Sequence, residues 1–309
     1  MTVFERILTG FAMENAFYDW QDYRGRLTAH ILAGEERAHM KKLAVIGAGR
    51  CCDLDLRELR ARYGHVTLVD YDRDAMEEGL RLYGLREGGG LVLREATLTG
   101  ITLPDVRDFC DRLLAGDAPL SAWGPLREKL YASAEEFRDF LAPREFDTVV
   151  CAGVHSQLFS LLSYTAHVLC DAADAAGEPQ DSFAEACAAD AAGEPQDGPA
   201  GTYVTDGRGR QQEGAAALDE SLREASGDLV PLLNTALLGA AKERVLFGCE
   251  YDEAHPVEGA YRCIGDIRAR GLEYSERHIP WIFDLAAGRL YDVLVQEVFP
   301  WTEEADMRG

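Results

Sequence analysis

The sequence predicts an α/β protein: a doubly wound, mainly parallel seven-stranded sheet with an antiparallel C-terminal hairpin, plus N-terminal helices and helical insertions. Three observations carry this. Short apolar, β-branched runs alternate with amphipathic helical stretches through much of the chain, as right-handed strand–helix–strand crossovers do. The first such run ends in Gly47-Ala48-Gly49, and a helical pattern follows it. The last two runs have no helix between them and flank Ala286-Ala287-Gly288-Arg289, which reads as a hairpin.

Taken in order, residues 3–33 read as helix, with Phe4, Ile7, Leu8 and Phe11 at helical spacing. Gly10 and the Tyr18–Tyr23 stretch break it into two short pieces. Leu43–Ile46 is a buried strand. Asp53–Tyr63, with leucines at 54, 56 and 59 among charges, is a helix that Gly64 ends. His65–Val69 is the second strand, ending at Asp70, and Asp72–Tyr83 a second helix closed by Gly84. Leu91–Leu93 is the third strand, ending near Glu95. Residues 104–142 are mostly helical, a long connection. Phe146–Cys151 is the fourth strand, and Ser156–Cys170 the helix after it. A helical stretch over 214–242 is expected to be interrupted near Pro231. Arg244–Glu250, the Val257–Arg270 helix, and a hairpin of His278–Phe283 with Tyr291–Phe299 complete the set. The expected division is an N-terminal helical cap over 1–39 and a sheet domain over 40–309.

Composition narrows the function classes. The chain has 309 residues, 47% hydrophobic and 28% charged, which excludes disorder along its whole length. Asp and Glu number 54 against 31 Lys and Arg, a formal charge of −23. A surface this acidic repels phosphate backbones and anionic lipid faces, so neither nucleic acid nor membrane is an expected partner. No stretch approaches the ~18–20 apolar residues of a membrane span. The opening Met-Thr-Val-Phe-Glu-Arg lacks the basic start and apolar core of a secretory signal. Eight scattered cysteines without a CxxC pair fit free thiols, and a cytoplasmic location is expected. From 171 to 207 there are nine acids and no Lys, Arg or His. Within that span Asp-Ala-Ala-Gly-Glu-Pro-Gln-Asp stands at 174–181 and again, letter for letter, at 190–197. Two copies are too few for a solenoid, so the segment reads as a local duplication in a tolerant surface insertion.

Candidate chemistry gathers at strand ends, where ligands bind in doubly wound sheets. Gly47 and Gly49 permit a tight turn and close approach of a ligand, and the next helix offers amide groups to it. Asp70, twenty-one residues beyond Gly49, is a carboxylate level with that turn and able to accept both hydroxyls of a ribose. Cys52 occupies the third position of a dinucleotide fingerprint, which weighs against a nicotinamide cofactor. His155, just past the fourth strand, is either a proton acceptor for an amine or hydroxyl or a hydrogen-bonded turn residue. The aromatics Phe17, Tyr18, Trp20 and Tyr23 are either core or a lid, with Tyr18 and Tyr23 the members most suited to a functional role. His255 and His278 have no partner at ligand spacing, so no metal site is expected.

Gly-Ala-Gly, the Leu68-Val69-Asp70-Tyr71-Asp72 run, the Phe146-Asp147-Thr148-Val149 strand and the terminal hairpin together resemble the class I S-adenosylmethionine-dependent methyltransferases. The resemblance covers residues 40–300 without the 171–207 insertion. It implies S-adenosylmethionine as cofactor and transfer of its methyl group to N, O or S of a small-molecule acceptor. It also implies that Gly47 and Gly49 flank the methionine part and that Asp70 holds the ribose. Tyr71 would lie beside the adenine, Glu95 near its amine, and Cys151 and Ala152 along the cofactor facing the methyl. Val45 stands where the family often carries an acid for the cofactor's amino group, and Asp53 or Asp55 is the substitute at hand. Three other readings stay open: a catalytically inactive relative that binds cofactor or a partner, a NAD-dependent oxidoreductase, and aminopropyl transfer or another use of the same cofactor. A homodimer is kept open as well.

Overall fold

The computed structural model describes residues 1–11, 13, 15–33, 38–176, 209–252, 257–284 and 288–300. The second octamer, all but the first three residues of the first, Cys187 and His255 lie outside the described residues.

In chain order the elements are α1 (Val3–Phe11), α2 (Ala16–Asp19), α3 (Gln21–Leu32), β1 (Lys42–Ile46), α4 (Leu56–Arg62), β2 (His65–Asp70), α5 (Arg73–Leu82) and β3 (Leu91–Glu95). Then come α6 (Leu103–Leu114), α7 (Pro119–Phe140), β4 (Phe146–Ala152), α8 (Val154–Gln157), α9 (Ser160–Ala176) and α10 (Gly209–Ala240). The chain closes with β5 (Ala241–Tyr251), α11 (Glu258–Ala269), β6 (Glu273–Asp284) and β7 (Arg289–Phe299). The seven strands form one sheet in the order β3-β2-β1-β4-β5-β7-β6. The first five are parallel to their neighbours, while β7 runs antiparallel to both β5 and β6. Strand order reverses between β1 and β4, which puts the ligand crevice of such a sheet at their carboxyl ends.

Two compact units share the chain. One takes in residues 1–13, 101–131 and 159–225 and is helical; within it α6 and α1 both pack on α9, and Trp123 Nε1 donates to Ser221 Oγ at 3.1 Å. The other takes in 14–100, 132–158 and 226–309 and holds the whole sheet. Strand alternation splits its core into two layers. Val45, Val150, Ala152, Leu246 and Val293 point to one face, where Tyr23, Leu27 and Trp281 cover them. Ile46, Val149, Cys151, Phe247 and Leu294 point to the other, under Leu233, Leu237, Cys263 and Ile267. A buried Arg244 at the base of β5 donates to Glu297 at 2.5 Å and to the Ile31 carbonyl, tying α3 to the sheet.

Of the element boundaries that differ from the sequence reading, three have a clear physical reason. The long 104–142 connection is two helices, because Thr102 and Asp105 form a capping box at the first and Gly116 (φ 95°) turns the chain after it. The Asp53–Tyr63 helix starts only at Leu56, where Asp55 accepts from the Arg57 and Glu58 amides as its cap. The expected interruption at Pro231 does not occur: α10 runs straight through it. Leu229, Val230 and Leu233 are buried around the proline, and Arg270 donates to its carbonyl at 2.8 Å, so tertiary contacts outweigh the lost helical hydrogen bond. No described helix is long and apolar enough to cross a membrane. The seven described cysteines are buried, and none is bridged to another of them.

α11 lies hard against the turn after β4. A Cβ at Gly259 would sit 1.9 Å from the His155 carbonyl oxygen, whereas one at Gly265 would meet nothing within 4 Å. Gly259→Ala is expected to cost about 2 kcal/mol or more through overpacking. Gly265→Ala, on the exposed face of the same helix, should add roughly 0.5–1 kcal/mol. Urea unfolding of the two variants decides this; equal stabilities would show that the helix contact is slack.

Candidate functional site

The turn from β1 into α4 is built from three left-handed residues, Gly47 (φ 67°), Gly49 (φ 46°) and Cys51 (φ 51°). A side chain at Gly47 would collide with Val154 Cγ2 at 2.3 Å, so glycine is required there on two counts. Cys51 has no such freedom, and its conformation costs about 1–2 kcal/mol. Several polar groups of the turn are held from outside it. Asp70 Oδ2 accepts from the Gly49 amide at 2.8 Å and its Oδ1 from the Asp72 amide at 2.9 Å. Buried Arg24 donates to the carbonyls of Phe17 (2.7 Å) and Cys52 (3.1 Å), with its guanidinium over the Phe17 ring. The Tyr83 hydroxyl lies on the Cys51 and Leu54 carbonyls, and Thr28 Oγ1 accepts from the Asp55 amide. Close packing of the next helix comes not from position 52 but from Gly79 of α5, where a Cβ would sit 2.6 Å from the Arg50 carbonyl.

Asp70, at the end of β2, is largely buried; burial raises its carboxyl pKa against the lowering effect of the Asp72 and Gly49 amides. Its neighbour in register is Glu95 at the end of β3, which is exposed, and Tyr71 beside it is 41% exposed. Gly47, Gly49, Asp70, Tyr71 and Glu95 are therefore brought together along the carboxyl ends of β1, β2 and β3.

A second group assembles beside them. Burial raises the Asp53 carboxyl to about 6, although its own amide and Arg24 pull the other way. Glu250, near the end of β5, is raised by burial too; Ser156 supplies a hydrogen bond, and its Oε2 has no partner. Tyr23, 4% exposed and stacked on Trp281 at 5.0 Å, has its hydroxyl pKa raised well above the ordinary value by burial and then by the charges of Asp53 and Glu250. Partly buried Asp53, buried Glu250 and Tyr23 thus act on one another, with no ion pair between either carboxyl and a base among the described residues.

The remaining expected residues part company. Cys151 and Ala152 are consecutive on a strand, so their side chains take opposite faces: Ala152 lies on the Tyr23 side, Cys151 on the other at 0% exposure. His155 is 2% exposed, its Nε2 bonded to Asn234 Oδ1 at 2.9 Å and its ring against Phe247. Tyr18 is 73% exposed and touches Phe17 edge-on, away from the Tyr23 stack. Arg24, Tyr83, Gly79 and Glu250 carry no local motif; Glu250 alone had a signal, as an acid closing an apolar strand.

No family model and no curated relative matches the chain. Among solved structures it is similar to magnesium protoporphyrin IX methyltransferase from Synechocystis PCC 6803 with bound S-adenosylmethionine, at 10% identity and TM-score 0.43, covering 96% of this chain and 91% of that one. It is likewise similar to a SAM-dependent methyltransferase from Aquifex aeolicus (10%, TM-score 0.40, covering 96% and 98%). The N-methyltransferase NodS from Bradyrhizobium japonicum WM9 gives 9%, TM-score 0.41 and coverage of 93% and 99%. The fold assignment rests on the chain's own strand order: a doubly wound, mainly parallel seven-stranded α/β sheet whose last strands form an antiparallel hairpin.

A carboxyl whose folded pKa lies above its unfolded value destabilises the fold once it ionises. For Asp53 that penalty is absent below its unfolded value of 3.8 and grows as pH rises toward 6. Asp53→Asn is therefore expected to stabilise the protein by about 1–3 kcal/mol at pH 7.5 and by little at pH 4. Denaturant unfolding at both pH values measures it; an equal effect at the two would show that Asp53 carries no buried charge.

Proposed function

We propose that the protein is an S-adenosylmethionine-dependent methyltransferase acting on a small molecule. The observation that carries this reading is the pairing of the clamped Gly47–Cys51 turn with Asp70, a carboxylate level with it that is held by two backbone amides and has acceptor capacity left for a ribose. In this reading the turn lies along the methionine part of the cofactor, Tyr71 borders the adenine, and Glu95 receives its amine. Asp55 is occupied as a helix cap, so Asp53 takes the cofactor's ammonium group, replacing the acid that Val45 does not supply. A sulfonium ligand bearing an ammonium is the kind of charge that uncompensated buried carboxyls favour.

S-adenosylmethionine when bound supplies the electrophilic methyl; the chain's task is alignment and exclusion of water. Ala152 and Gly248 pair at the ends of β4 and β5 and leave the floor of the crevice free of bulk. Tyr23 and Glu250 face the acceptor, Glu250 accepting from an amine and Tyr23 fixing its direction. His155, spent on Asn234, supports the turn beneath and does not take the acceptor's proton. An amine acceptor is the class this arrangement favours over a carboxylate.

Calorimetry with S-adenosylmethionine, S-adenosylhomocysteine and NADH in parallel tests the proposal. Binding of the first two alone is expected, weakened more than tenfold by Asp70→Ala, in line with the loss of charge-assisted hydrogen bonds. NADH binding instead, or affinity unchanged by Asp70→Ala, would overturn it.

A further inference from the structure

Beneath the crevice, on the opposite face of the sheet, three soft donors converge from distant parts of the chain. His155 of α8, Cys249 of β5 and Cys263 of α11 place their ligand atoms within 4.8 Å of one another, and all three residues are buried. The imidazole is oriented from behind: the Asn234 side chain donates through Nδ2 to Asp266 at 2.8 Å, which turns its Oδ1 toward His155 Nε2. An acceptor at Nε2 places the ring proton there and leaves Nδ1 with its lone pair. Nδ1 is buried and makes no hydrogen bond.

From this geometry we infer that His155, Cys249 and Cys263 form a binding site for one thiophilic divalent metal ion, zinc being the ion their chemistry fits. Two thiolates and one neutral imidazole balance a 2+ charge, which a dry site demands. The Asp266–Asn234–His155 chain is the outer shell by which metal-binding histidines are oriented. Loading replaces the thiol protons of Cys249 and Cys263, which pass to solvent, with two metal–sulfur bonds; no oxidation is involved. Enclosure means that the ion enters as the chain folds. Bound there, it would pin the turn after β4 to β5 and α11, the turn whose Ser156 bonds Glu250.

The test uses the full chain expressed in medium supplemented with zinc or with cobalt, then desalted and analysed for metal. About one zinc per chain is expected, with a melting temperature several degrees above that of protein stripped by a chelator during refolding. Cobalt-grown protein should show thiolate-to-cobalt charge-transfer bands and the intense visible bands of a tetrahedral site. Cys249→Ser and Cys263→Ser should lose the metal, while Cys110→Ser, in the helical unit, keeps it. Because a serine in this core can unfold the chain by itself, the cobalt spectrum of the unaltered protein stands as an independent reading. Metal below a tenth of an equivalent on the scale of one ion per site, a cobalt spectrum without thiolate bands, or metal retained by both serine variants would each overturn the inference.

Discussion

The chain between Ile46 and Leu56 must reverse in front of the sheet without stranding amides and carbonyls at a half-buried surface, and the rest of the site follows from how it does so. A turn with three left-handed residues in five cannot satisfy itself. Its partners come from three places: Asp70 from the next strand, Arg24 and Thr28 from α3, and Tyr83 from the end of α5. Each of those residues is thereby fixed in position. The turn is rigid because it is held from outside, and Asp70 is aimed because it does the holding.

The same constraint explains the N-terminal segment. Arg24 ties α3 to the Cys52 carbonyl, α3 packs on β6, and aromatic residues of the segment meet those of the hairpin. Trp20 donates to the Phe283 carbonyl at 2.8 Å and packs edge-on to Trp281 at 4.8 Å, next to the Tyr23–Trp281 stack. That aromatic wall lowers the dielectric around Asp53 and Glu250. Carboxyls kept neutral or costly in this way are a stability loss unless a cationic ligand compensates them. The fold has traded stability for a preformed anionic crevice.

Most of the architecture was legible in the sequence, because strand runs with Gly or Asp at their ends report both period and boundary: the Val45–Gly49 and Leu68–Asp72 segments located the crevice. What the sequence hid was non-local. Gly79 and Gly259 look like ordinary helical glycines until the backbone that approaches them is known. Pro231 looks like a helix breaker until Arg270, thirty-nine residues on, is seen on its carbonyl. His155, Cys249 and Cys263 have no ligand spacing at all, so a search for short metal motifs passes over them. Cys151, which the resemblance implies along the cofactor, faces the other side of the sheet by strand alternation, and His155, open between proton acceptor and hydrogen-bonded turn residue, has its Nε2 bonded to Asn234.

The account stands or falls on Asp53 serving as the anion for an ammonium-bearing adenosyl ligand. Its most direct measure is the affinity for S-adenosylhomocysteine at pH 5 and pH 7.5, read by calorimetry at constant ionic strength. With the Asp53 carboxyl titrating at about 6, binding should weaken roughly tenfold at the lower pH, where the carboxyl is protonated. An affinity that stays flat across that range would contradict the account.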